Sequence, residues 1–173
     1  DVPGSWFVAL PHFNIVDHGI HYVDLSRYFT GRTPLRVKCT TTTVPGQIAV
    51  SPMIYGMTLE YEPEAQLMTT LQFNNIVRTR AAHSQTWYID GTEGSAWASQ
   101  SELSVSLKEN PLAKQTFAIQ GSWFPDAFGG SMGERMQSLA EGRDPVTSGR
   151  DNLNSVKIAY AAIASSEEGR AVA

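Results

Sequence analysis

Asp17 and His21 stand four residues apart in Asp17-His18-Gly19-Ile20-His21-Tyr22-Val23-Asp24, one turn apart if the segment is helical. A carboxylate bonded to one ring nitrogen of a histidine fixes its tautomer and raises the basicity of the other nitrogen. A general acid–base histidine needs that arrangement. The same pair also suits a buried contact that only holds a helix in place, and both readings stand at this point. Asp24 can brace His21, meet a substrate hydroxyl or pair with Arg27 on the helix surface. With His18 it makes up the candidate substrate-binding set, beside the candidate catalytic pair His21 and Asp17. His12, Asp17, His18, His21 and Asp24 are dense enough to raise the question of a metal. They converge poorly from one helix and match no zinc spacing, so no metal site is expected.

A helix through this stretch, at ~100° per residue, puts Asp17, His21, Asp24 and Tyr28 within an arc of about 60°. Val16, Ile20 and Val23 flank the stripe on one side; Tyr22, Leu25 and Phe29 flank it on the other. Gly19 and Ser26 lie opposite. The titratable stripe thus sits inside the apolar arc and is expected to face protein or a cleft.

The elements that would position it follow in order. Gly31 with Pro34 ends the first helix. Leu35 to Val44 is threonine- and valine-rich and reads as a strand. Tyr55 to Tyr61 and Gln66 to Phe73 alternate around Glu62-Pro63-Glu64-Ala65 and read as a hairpin. Thr86 to Ile89 and Ser95 to Ala98 flank a second turn, and Leu103 to Leu107 and Gln115 to Ile119 complete the strands. Asp126 to Leu139 and a segment opening at Thr147 read as helices. Helix, strands, then two helices predicts an α+β fold: an open, mainly antiparallel sheet with helices on one face. Residues 1–173 read as a single domain.

The chain has 173 residues, 42% of them hydrophobic and 17% charged, with net charge −4. That suits one domain with a sizeable core and gives no footprint for nucleic acid. No apolar run is long enough to cross a bilayer. The single cysteine, Cys39, sits in the threonine-rich strand and reads as a buried structural residue. His83 lies in a polar loop. Trp6, Trp87, Trp97 and Trp123 could stack on a sugar, a role that competes with ordinary packing. No Gly-x-Gly-x-x-Gly or Walker sequence occurs, and Gly129-Gly130-Ser131-Met132-Gly133 has the wrong spacing for a phosphate loop. Beginning at Asp1, the sequence reads as a piece of something longer.

Asp17-x-Gly19-x-His21-x-x-Asp24, with Gly31 beyond it, resembles the D-x-G-x-H-x-x-D…G signature of the Gfo/Idh/MocA oxidoreductases. Asp90-Gly91-Thr92-Glu93-Gly94-Ser95, Glu141 to Pro145, Ser148 to Leu153, and Ser165-Ser166 with Gly169-Arg170 resemble later features of that family in the expected order. The resemblance implies a C-terminal substrate and oligomerisation domain whose N-terminal Rossmann domain is absent from this chain. It implies an NAD(P)-dependent dehydrogenase or reductase acting on a sugar, sugar derivative or cyclitol, in the cytoplasm. His21 matches the family's catalytic histidine and Asp17 its partner. NAD or NADP would belong to the full-length enzyme, and this chain alone is expected to bind none and to be inactive. No Glu-Lys-Pro occurs, and Pro11-His12-Phe13-Asn14 replaces the glycine cluster common before the motif.

Two other functions compete: a non-catalytic, self-associating binding domain and a metal-dependent hydrolase or isomerase. Self-association as a homodimer or tetramer is expected on the oxidoreductase reading too. The apolar register Met57, Leu59, Tyr61 with Leu67, Thr69, Leu71 is expected on the open face of the sheet, where a second subunit would cover it. Neither nucleic acid nor membrane is an expected partner.

Overall fold

The computed structural model describes residues 4–173. A π-helical turn (Asn14–Gly19) leads into α1 (Ile20–Thr30), followed by β1 (Arg36–Thr42), β2 (Ile54–Glu60) and β3 (Met68–Asn74). Next come β4 (Trp87–Gly91), β5 (Gly94–Ala98), β6 (Glu102–Leu107) and β7 (Gln115–Ala118). Helices α2 (Phe128–Glu141) and α3 (Gly149–Glu168) complete the order. The fold is α+β and every strand pairing is antiparallel. The strands form two sheets, one of three (β1-β2-β3) and one of four (β4-β5-β6-β7), where the sequence suggested one. The chain divides accordingly into two compact units, Asp1–Ile76 with Val146–Ala173, and Val77–Pro145. No helix among the described residues is long and apolar enough to cross a membrane.

In the first unit the helix ends follow local rules. Gly31 takes a left-handed φ of 64° and its N–H reaches the Arg27 carbonyl at 2.8 Å, a conformation glycine adopts without a Cβ penalty. Ser148 caps α3, its hydroxyl accepting from the Asp151 N–H at 3.2 Å. Strand β2 alternates strictly: Tyr55, Met57 and Leu59 are buried, and the residues between them half-buried. Those three join Val37 and Cys39 of β1, Val23 of α1 and Ile158, Ala159, Ala162 and Ile163 of α3 in one core. Ala159 and Ala162 are the small residues that let α3 lie close against the strands. Burying a side chain such as Leu59 contributes about 2 kcal/mol.

This arrangement corrects one expectation. The Met57, Leu59, Tyr61 register faces the helices and forms the core. The opposite register is mixed, with Thr58, Glu60, Thr70 and Gln72 beside Ile54 and the exposed Met68. The helices took the more apolar face because covering it removes more hydrocarbon from water.

The C-terminal end of α3 is tied to β1. Ser165 accepts from the Cys39 N–H at 2.8 Å and donates to the Arg170 carbonyl at 2.6 Å. Val37 and Val172 exchange two backbone hydrogen bonds of 2.8 and 2.9 Å. Burial pushes the Cys39 thiol up to about 11, which leaves it un-ionised and structural, as the sequence suggested.

The second unit is a four-stranded meander followed by α2. Cross-strand pairing puts Trp87, Ala98, Leu103 and Phe117 in one row, with Ile89, Ala96 and Val105 in the next row of the same face. Ile89 and Phe117 on that face are exposed, as are Phe128, Met132, Met136 and Leu139 at helical spacing on α2.

One contact in the first unit fixes the motif. A Cβ built on Gly19 would lie 2.7 Å from the Tyr55 hydroxyl oxygen. The Tyr55 ring end is buried, its hydroxyl has no hydrogen-bond partner among the described residues, and burial pushes its pKa up. Gly19→Ala is therefore expected to destabilise the fold, and Tyr55→Phe to stabilise it by about 1 kcal/mol by removing a stranded hydroxyl. Urea denaturation of the two single variants and the double variant measures the coupling. Gly19→Ala should cost less in the Tyr55→Phe background, and an equal cost in both would mean the hydroxyl is not what excludes the β-carbon.

Candidate functional site

The motif residues lie where the π-helical turn passes into α1. The wide turn begins at Asn14, which is 1% exposed. Its backbone N–H reaches the Ser51 hydroxyl at 3.1 Å, and its side-chain amide donates to the Pro52 carbonyl at 3.0 Å. Gln47 holds the loop that supplies those acceptors: its amide donates to the carbonyls of Ala49 and Ser51 at 2.6 and 2.9 Å. A polar residue this deeply buried needs every bond satisfied, and here the bonds anchor the start of the motif.

From that anchor Gly19, Val23 and Ser26 turn into the protein. Ser26 returns its hydroxyl to the Tyr22 carbonyl at 2.8 Å, which satisfies a buried polar group locally. Asp17 and His21 are on the exposed side. The sequence reading put the titratable stripe inward and Gly19 and Ser26 outward, and the structure reverses it. The reason is steric: the end of Tyr55 lies so close over Gly19 that a β-carbon has no room there, and Ser26, on the same side of the helix, is buried with it.

His18 is half-buried. Its ring lies edge-on to Tyr22 and Phe73, with centroids 5.1 and 5.4 Å away, and Phe73 stacks on Tyr55 at 4.6 Å. Burial first, and then the charge of His21, lower its pKa, while Asp17 opposes the shift. Its Nδ1 is 2.9 Å from the Asn75 side-chain nitrogen, and that same nitrogen bonds the Asn14 side-chain oxygen.

Asp24 is drawn to the other end of α1. Its Oδ1 accepts from Arg27 at 3.3 Å and from the Ser155 hydroxyl of α3 at 2.6 Å. Arg27, whose side chain is 9% exposed, forks onto Asp151 with contacts of 2.7 and 3.0 Å. The hydrogen bond to Asp151 is the main cause holding Arg27 above its ordinary value, and the same bond holds Asp151 below the usual carboxylate range. The ion pair with Arg27 weighed for Asp24 is thus present, and it belongs to a clamp between α1 and α3.

The remaining candidates are scattered. His12 lies 3.5 Å from Glu167, and His83 is exposed in the second unit. Trp6 is exposed and meets Phe7 and Phe13 edge-on at 6.0 Å. Among the described residues no group of three or more His, Cys, Asp or Glu is placed to hold a metal ion. The groove of ≈ 310 Å³ between Thr33–Val37 and α3 contains none of the motif residues. Sequence reasoning missed Asn14, Ser51 and Asn75, and the partners Asp151 and Ser155 of Arg27. The signals were faint: an asparagine in an otherwise apolar approach, and an Asn74-Asn75 doublet where β3 ends.

The pattern described as the GFO/IDH/MocA C-terminal domain matches residues 1–97, more than half of the chain. The chain belongs to this family of oxidoreductase domains. Solved structures share its fold. An oxidoreductase from Agrobacterium radiobacter, in complex with NAD+, L-tartaric acid and magnesium, is 22% identical with a TM-score of 0.81, over 96% of this chain and 51% of that one. Aldose-aldose oxidoreductase from Caulobacter crescentus, complexed with glycerol, is 18% identical with a TM-score of 0.78, over 99% of this chain and 51% of that one. Levoglucosan dehydrogenase, in complex with NADH and levoglucosan, is 16% identical with a TM-score of 0.79, over 95% and 54%. The chain spans about half the length of each. No curated protein matches it.

The α1–α3 clamp has a pH signature. A carboxylate whose folded pKa is depressed stabilises the fold above its unfolded value, and that stabilisation is lost as pH falls through the folded value. Asp151→Asn should therefore lower the denaturation midpoint at neutral pH and make no difference once the pH is well below ~3.9. With the Asp151 side chain half exposed, screening keeps the effect within about 0.2–1 kcal/mol. A deficit that persists unchanged at low pH would show that the carboxylate's charge is not what the clamp uses.

Proposed function

We propose that this chain is the substrate-side half of an NAD(P)-dependent oxidoreductase acting on a sugar, sugar derivative or cyclitol. The observation that carries the reading is the disposition of the motif helix. Gly19, Val23 and Ser26 are fastened inward, and Asp17 and His21, one turn apart, are left on the exposed side. In relatives of similar fold the bound molecules named with the structures are polyhydroxylated: L-tartaric acid, glycerol and levoglucosan.

On this reading His21 is the general base in the oxidative direction and takes the proton from the reacting substrate hydroxyl. In the reductive direction it returns that proton to the carbonyl oxygen. Asp17, one turn before it on the same exposed side, is the group that braces the imidazole. Asp24 has both of its bonds on Oδ1, which leaves Oδ2 for a second substrate hydroxyl, and His18 supplies a further contact. The nicotinamide's own chemistry is to accept or donate the hydride. The residues of this chain do not fit that group, because no Gly-x-Gly-x-x-Gly occurs and Gly129-Gly130-Ser131-Met132-Gly133 lies within α2, behind a π-helical turn and not a strand. The cofactor would therefore be held by elements outside these residues.

In the complete enzyme His21→Ala should lower kcat by roughly 10²–10⁴-fold, the usual worth of a general acid–base, with a smaller change in KM. Steady-state kinetics with a panel of sugars and cyclitols measures it. Turnover equal to wild type would assign His21 to structure.

Self-association belongs to the same proposal, moved to a different surface from the one the sequence suggested. The four-stranded sheet shows an apolar face on which Ile89 is 46% and Phe117 50% exposed, and a second copy is the simplest cover for it. Light scattering of the protein at micromolar concentration should give a dimer or larger mass. Ile89→Asp with Phe117→Asp should shift that mass to the monomer, and an unchanged mass would remove this face from the interface.

A further inference from the structure

The bonds around His18 have a direction that can be traced atom by atom. A carbonyl can only accept. Asn14 meets the Pro52 carbonyl, so the atom it presents there is its amide nitrogen, and its oxygen is turned to Asn75. An oxygen facing Asn75 requires a donor, so the Asn75 atom on that side is its amide nitrogen. That nitrogen carries two hydrogens. One goes to the Asn14 oxygen and the other to Nδ1 of His18, 2.9 Å away. Nδ1 must therefore accept, and the proton of the neutral ring resides on Nε2. Amide orientations are normally open to a flip. Here the backbone carbonyl of Pro52 sets one orientation for both asparagines. The relay starts from a side chain that is 1% exposed, which leaves it little freedom to rearrange.

We propose that Asn75 is a positioning residue that holds His18 as the Nε2–H tautomer, so that the ring meets an oxygen of the substrate as a hydrogen-bond donor and never as a base. Nε2 has no hydrogen-bond partner among the described residues, on a ring that is otherwise half-buried between Tyr22 and Phe73. A half-buried donor without a partner suits a ligand that brings its own acceptor. The ligand chemistry it selects is a hydroxyl, carbonyl or carboxylate oxygen. The two neighbouring histidines then divide the work, with His18 donating a fixed hydrogen bond and His21 moving a proton. The tautomer assignment stands on the relay alone, whereas the substrate contact rests on the oxidoreductase reading above.

Long-range ¹H–¹⁵N correlation on protein labelled at its histidines reads the tautomer directly. In mildly alkaline solution, where the imidazoles are neutral, His18 should show a bare Nδ1 and a protonated Nε2, with assignment by the loss of those signals in His18→Gln. An Nδ1–H pattern, or the averaged pattern of free imidazole, overturns the proposal. Asn75→Ala should move His18 to the averaged pattern while His12 and His83 keep theirs, and an unmoved His18 would remove Asn75 as the positioning group. If Asn75→Ala fails to fold, the wild-type spectrum decides alone. In the complete enzyme Asn75→Ala should raise KM about 10-fold, equivalent to ~1.4 kcal/mol of lost hydrogen bonding, with kcat much less affected. An unchanged KM overturns the donor role of His18. A wild-type enzyme that turns over no sugar or cyclitol counts against the proposed function, and the spectrum is unaffected by that failure.

Discussion

At Gly19 there is no room for a β-carbon, because the end of the Tyr55 ring occupies the space. That exclusion sets the rotation of the motif helix about its own axis. With position 19 pressed against the sheet, Val23 and Ser26 follow it inward by helical repeat, and Asp17 and His21 are carried to the opposite side. A glycine that looks like conformational slack in the sequence is here a contact of closest approach. Tyr55 is itself fixed by stacking on Phe73 and by burial in the three-stranded sheet, so the site's orientation is inherited from the core.

Other fastenings keep that orientation from drifting. The Asn14 bonds to Ser51 and Pro52 hold the entry of the turn. The Arg27 fork to Asp151, with Asp24 and Ser155 joining it, holds the exit of α1 against the first turn of α3. Between the two anchors every residue of the motif is either packed or left exposed. Buried bonds of this kind add modestly to stability and strongly to uniqueness, because an alternative packing would strand them. General acid–base chemistry demands such positional certainty.

Much of the fold was legible from short-range rules. Gly31 and Pro34 end α1, Ser148 begins α3, and the alternation across Glu62-Pro63-Glu64-Ala65 made a hairpin. Each of those signals is local, so no tertiary knowledge was needed. The directions of faces were not legible. Hydrophobic count put the Asp17–His21 stripe inward, and the expectation of a covering subunit put the Met57–Leu59 register outward; both are reversed. Count alone ignores size: Gly19, Ser26, Ala159 and Ala162 are weak in any hydrophobicity sum, yet they permit the closest approach between layers. The division into two sheets and the Asn14–Asn75–His18 relay depend on partners distant in sequence, which periodicity cannot see.

The first unit is discontinuous in sequence, because all of Val77–Pro145 intervenes between β3 and α3. Closing so long a loop carries only a slowly growing entropic cost at equilibrium, but it matters in time. Ala159, Ala162, Ile158 and Ile163 are synthesised only after all of Val77–Pro145, and until they arrive β1 and β2 have half a core to fold against. Contacts of such separation slow folding. They also leave the nascent three-stranded sheet with its Tyr55, Met57 and Leu59 register bare during synthesis, a natural substrate for chaperones.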